Sequence, residues 1–137
     1  MNQKEFTALL DVISKSTTQL LISKGAEYAS DTDRLANFKL NAERLGLSPL
    51  QVWAVYAFKH VDAIQSYLQK IHASPDIPVP VKMRAVDRVL SEPIEGRFHD
   101  LINYMILGLA LLEEMQKVGE VGTVVEVDPE VGAPRLM

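Results

Sequence analysis

Glu92, Glu95, His99, Asp100 and Asn103 cluster in one segment near the end of the chain, and their residue types suit metal or polar-substrate chemistry. The run Ser91-Glu92-Pro93-Ile94-Glu95-Gly96-Arg97-Phe98-His99-Asp100 leads into Leu101-Ile102-Asn103-Tyr104 and then a nearly pure apolar stretch from Met105 to Leu112. At about 100° per residue, Glu92, His99 and Asn103 fall in a narrow arc of a helix, with Glu95 and Asp100 on its two sides. So apolar a helix should be buried almost all the way round. Carboxylates and a histidine on such a helix are costly unless paired, hydrogen-bonded or bound to a metal. Oxygen-rich donors at this spacing suit Mg²⁺ or Mn²⁺, so Glu92, Glu95 and Asp100 are candidate metal ligands and Glu95, His99 and Asp100 candidate catalytic groups. Glu92 and Glu95 also have a simpler explanation, because acidic residues are favoured in a first helical turn by the helix dipole.

Two further groups accompany this stripe. In Lys59-His60-Val61-Asp62, His60 shares the apolar side of its helix with Trp53, Ile64 and Tyr67, whereas Lys59 and Asp62 lie on a polar side. His60 is therefore the member that faces the core and joins the candidate catalytic set. Lys59 and Asp62 form either a surface ion pair or part of a cleft. Earlier in the chain, Lys24-Gly25-Ala26-Glu27-Tyr28 precedes Asp31, Asp33, Arg34, Asn37 and Phe38. Lys24 could hold a phosphate and Tyr28 or Phe38 stack on a base. Alternatively, the stretch is a loop whose aromatic residues plug the end of a bundle.

Helices must position these residues. Phe6, Leu9, Leu10, Ile13, Thr17, Leu20 and Leu21 recur at helical spacing and predict an amphipathic helix over 3–23, stopped by Gly25. Asp33 is placed to cap a short helix ending at Gly46. Ser48 followed by Pro49 marks a helix start; that helix should run to about Ile71, with Leu50, Trp53, Ala57, Ile64, Leu68 and Ile71 inward. Pro75, Pro78 and Pro80 interrupt it. A short helix over 81–90 would turn Met83, Val86 and Leu90 inward, and Ser91 would cap the last long helix, ending near Lys117. The expected fold is all-α: residues 1–117 form a bundle of three long helices plus one or two short ones, and 118–137 form an extended or flexible tail with a β-prone patch at 123–127.

Bulk properties narrow the function. The chain has 137 residues, net charge −4, 47% apolar residues and no cysteine. That length suits one domain. Thiolate zinc sites, disulfides and thiol nucleophiles are excluded. No basic patch suggests a nucleic-acid partner. The longest apolar run is shorter than the ~20 residues a bilayer requires, so no membrane association is expected. The first residues carry no signal-peptide pattern, and a cytoplasmic location is expected. So much apolar surface on a small bundle favours a homo-oligomer.

The ordered series Lys24-Gly25-Ala26-Glu27-Tyr28, Asp33-Arg34-Leu35-Ala36-Asn37-Phe38, Lys59-His60 and Asp100-Leu101-Ile102-Asn103-Tyr104 resembles small helical proteins of phages and prophages, namely the nucleotide-modification-associated helical domain. It is more distantly similar to the MazG-like all-α NTP pyrophosphatases. The likeness spans roughly residues 15–115. It implies a nucleotide ligand and a Mg²⁺-dependent cleavage of a nucleoside triphosphate into monophosphate and pyrophosphate. It further implies Glu95 and Asp100, with Glu92, on the metal side and Lys24 and Lys59 on the phosphate side, with Tyr28, Asn37 and His60 lining the pocket. The pyrophosphatase pattern has a Glu-x-x-Glu pair on one helix and a Glu-x-x-Asp pair on the next. Here Glu92-Pro93-Ile94-Glu95 has the first spacing but sits on the last helix, and the middle helix offers only Asp62. A non-catalytic phage accessory protein, binding a nucleotide or a host protein through the same pocket, is the alternative expectation.

Overall fold

The computed structural model describes residues 1–28 and 32–121, excluding the side chains of 28 and 119–121. These residues form five helices: α1 (Gln3–Tyr28), α2 (Ala36–Leu45), α3 (Pro49–His72), α4 (Val79–Asp87) and α5 (Ile94–Val121). The expected all-α architecture of three long helices plus one or two short ones is found, with two short helices, α2 and α4. None of the described helices is long and apolar enough to cross a membrane.

Local chemistry explains several boundaries. The Ser48 hydroxyl accepts from the Gln51 amide at 3.1 Å, while the Gln51 side chain accepts from the Ser48 amide at 2.8 Å. This reciprocal capping box, with Pro49 pre-set at the first helical position, fixes the start of α3. Gly46 ends α2 with φ of 66°, a left-handed conformation that a side chain would resist.

Other boundaries differ from expectation. Gly25 does not stop α1, which continues to Tyr28. Its missing side chain serves packing instead, since a Cβ there would lie 2.7 Å from Arg34 Nε. Asp33 precedes α2 by more than a cap position: its Oδ1 accepts from the Leu35 amide at 2.9 Å, and Leu35 occupies the cap. The prolines do not exclude a helix at 79, because Pro80 sits in the first turn of α4, where its missing N–H has no partner to lose. Met83 is exposed and Lys82 buried, opposite to the expected pattern for Met83, whereas Val86 and Leu90 do pack inward. Ser91 and Pro93 both precede α5, which runs past Lys117 to Val121. The expected patch at 123–127 lies outside the described residues.

The core is built on α3. Its first half packs against α2 and α5 through Leu35, Phe38, Ala42, Val52 and Leu111. Its second half joins α4 and the start of α5 through Tyr67, Ile71 and Ile94. Leu68, expected inward, is exposed, and Tyr67 is buried in its place. Trp53 meets Gly108 and His60 meets Asp100, so α3 and α5 run antiparallel. Gly108 lets the two helices close: a Cβ there would stand 2.7 Å from the Trp53 ring, whose Nε1 donates to the Tyr104 carbonyl.

α5 is not buried all round. Leu111 is fully enclosed, yet Phe98, Met105, Ile106, Leu109 and Leu112 are exposed. Similarly, the apolar stripe of α1 turns inward only in part: Thr17 is buried, whereas Phe6, Leu9 and Leu10 are exposed.

Candidate functional site

Between α1, α2, α3 and α5 lies a cavity of about 320 Å³. Lys24 from α1, Arg34 from the turn before α2, and Lys59 from α3 bring three cations to its wall. Asp100 of α5 is the one carboxylate among the described lining residues. Phe38, Tyr56 and Tyr104 supply aromatic surface, and Asn37 and Asn103 supply amides.

Each position has a local cause. Arg34 is steered by its Nη2, which donates to the Leu21 carbonyl at 3.3 Å, and by the room left at Gly25. Tyr56 is fixed by the Asn41 amide, which donates to its hydroxyl at 3.1 Å and also reaches Asn37 Oδ1 at 3.3 Å. Lys39 ties the turn before α2 to α5, with Nζ 2.8 Å from Asp33 and 2.6 Å from Glu114. Those contacts lower the Asp33 pKa and raise that of Lys39, in each case chiefly through the hydrogen bond between the two side chains.

Asp100 stands between two groups: Oδ1 is 3.6 Å from Lys24 Nζ and Oδ2 is 3.6 Å from His60 Nδ1. The imidazole is buried and stacks on Tyr104, with ring centroids 5.3 Å apart. Burial pushes the His60 pKa below its ordinary value, and this outweighs the opposing attraction of Asp100. The ring is therefore neutral at pH 7, and its contact with Asp100 is not a charged pair. At 3.6 Å it is not a hydrogen bond either, and Nδ1 has no hydrogen-bond partner. Burial first, and Asp100 second, raise the Tyr104 pKa, so its phenol stays protonated.

The structure divides the residues expected to act together. Lys24, Asn37, Lys59, Asp100 and Asn103 line the one cavity, with His60 directly behind Asp100. Glu92 lies before α5 and pairs with Arg97, Oε2 to Nε 3.3 Å. Glu95 is exposed in the first turn of α5. His99 opens into a separate hollow with Ser16, Thr17, Leu20 and Asn103. Asn103 belongs to both spaces; its Oδ1 and the Thr17 hydroxyl are buried without a hydrogen-bond partner. Tyr28 closes α1, and its side chain is outside the described set. Among the described residues, no three His, Asp or Glu side chains converge as a metal-binding group would.

The sequence offered Arg34 only as part of a polar run that could wall an anion or base pocket, and pointed to no site role for Tyr56 or Tyr104. Arg34 was visible in the polar run after α1, but its direction depends on Gly25 across the turn. Comparison with family models, with characterised proteins and with solved structures finds no match.

Proposed function

We propose that this chain binds a nucleotide, or a closely related phosphate ester, in the cavity lined by Lys24, Arg34 and Lys59. The surplus of positive charge there carries the reading: three cations surround one carboxylate in a chain whose net charge is −4. A wall of the opposite sign to the whole molecule concentrates an anion locally. Phe38, Tyr56 and Tyr104 offer surfaces for a base. The Asn37 and Asn103 amides can both donate and accept, and the buried, unpartnered Asn103 Oδ1 suits a ligand donor. The cavity volume is in the range of small-molecule sites. From the sequence side, the resemblance to the nucleotide-modification-associated helical domain and to MazG-like pyrophosphatases supports the same ligand class.

A divalent ion fits this reading in one form. Mg²⁺ keeps several waters and takes one or two carboxylates together with phosphate oxygens. Asp100 suits an ion that arrives on the phosphates, where the ion would neutralise phosphate charge. A resident ion held by protein alone would need more donors than the described residues bring together. Glu92 and Glu95 therefore take no part in the proposed site.

Calorimetric titration with ATP, dATP and adenosine, each with Mg²⁺ and with EDTA, tests the proposal. Both triphosphates should bind and adenosine should bind at least tenfold more weakly. Equal affinity for adenosine, or no binding by any of the three, would overturn it. Pyrophosphate measured in the same mixtures separates the two forms of the reading. Release identifies a pyrophosphohydrolase; binding without release identifies an accessory nucleotide-binding protein.

A further inference from the structure

Among the described residues, α5 carries a continuous exposed apolar surface. Phe98, Ile102, Met105, Leu109 and Leu112 follow one another at intervals of four, three, four and three residues. With Ile106 they occupy an arc of about 120°, and no polar side chain of this stretch interrupts it. Phe98 is 50% exposed and Leu109 67% exposed. An alternating interval of three and four is the seam pattern of helix-on-helix packing, so this arc suits a helix as its occupant.

A second stripe with the same period lies on α1. Phe6, Leu10, Ile13, Thr17 and Lys24 fall within about 60° of one another on that helix. At Thr17 and Lys24 this face meets its own α5: Thr17 is buried in the hollow shared with His99, and Lys24 reaches Asp100. Toward the N-terminus the same face overhangs the body, leaving Phe6 and Leu10 each 46% exposed. The face that packs inside the chain therefore continues outward with none of the described residues covering Phe6 and Leu10.

We infer that the apolar arc of α5 and the overhanging first turns of α1 form one surface that is closed by a second copy of this chain. The chain itself carries two uncovered helical stripes of matching period, so a two-fold pair covers both with parts already present. The α5 arc bears no charge between Phe98 and Leu112, so an identical arc meets no repulsion there. At full coverage, the exposed side chains of the two stripes would bury at most roughly 700 Å² per chain, or about 1,400 Å² for the pair, which reaches the range of stable complexes.

Sedimentation equilibrium of the full chain at micromolar concentration tests this. Wild type should sediment at twice the 15.3 kDa of one chain. Leu109→Glu and Phe6→Glu, both at exposed positions, should each shift the mass to that of one chain without loss of helical circular dichroism. Ile22→Glu, on the opposite face of α1 and 71% exposed, should leave the pair intact. A wild-type chain that sediments as a single copy would overturn the inference. So would a pair that survives both Leu109→Glu and Phe6→Glu, or one that Ile22→Glu dissociates equally well.

Discussion

Asp100 on α5 and His60 on α3 face each other with Oδ2 and Nδ1 3.6 Å apart, and the imidazole between Asp100 and the core is neutral. This places an ionisable group of α3 directly behind the one described carboxylate of the cavity. The carboxylate is thus shared between a cation on the solvent side, Lys24, and a buried ring on the core side.

Removing the Asp100 charge should change how the pocket responds to metal. In Asp100→Asn, a metal-free triphosphate no longer meets a nearby anion, and its affinity should rise about two- to tenfold, because one close like charge is gone. The difference between Mg²⁺ and EDTA titrations should shrink correspondingly. An unchanged Mg²⁺ dependence would place the ion elsewhere.

Arg34→Ala and Lys59→Ala should each weaken triphosphate binding by about 10- to 100-fold, the loss of one charge-assisted hydrogen bond of roughly 1.5–3 kcal/mol. Neither should weaken adenosine binding to the same extent. Titration at two salt concentrations provides the check, since each variant should show a shallower salt dependence than wild type.

His60 gives the fold an acid sensitivity whose sign follows from its depressed pKa. The unfolded chain binds the proton more readily, at the ordinary value of about 6.5. Stability from this residue is therefore complete above that value and is lost as pH falls through it toward the folded pKa. Urea midpoints measured from pH 7.5 to 5 should fall, and His60→Gln should flatten that part of the profile. An identical slope in the variant would exclude His60 as its source.

Two glycines of α5 should respond in opposite ways to alanine. At Gly108 the added Cβ would press on Trp53 at 2.7 Å, an overpacking that should cost about 1–3 kcal/mol. At Gly96 a Cβ meets nothing within 4 Å, so Gly96→Ala should stabilise by up to about 1 kcal/mol through helix propensity. Thermal melts of the two variants should move in opposite directions.

The sequence by itself determined the helices and several of their ends. Ser48 with Pro49, and Gly46 after α2, are local signals, because caps act within a turn of the chain. It also determined that His60 points inward, since periodicity fixes a direction about a helix axis. Periodicity does not fix what stands opposite that direction. Glu92, His99 and Asp100 share a short segment, yet Glu92 ends on Arg97, His99 opens into a second hollow and only Asp100 reaches the cavity. Arg34 enters the site because Gly25 leaves room for it, a fit between residues on either side of a turn. Composition likewise could not say which side of α5 stays uncovered, because an all-round apolar helix matches several packings. Only the placement of α1 and α3 against it decided which face lines the cavity and which stays exposed.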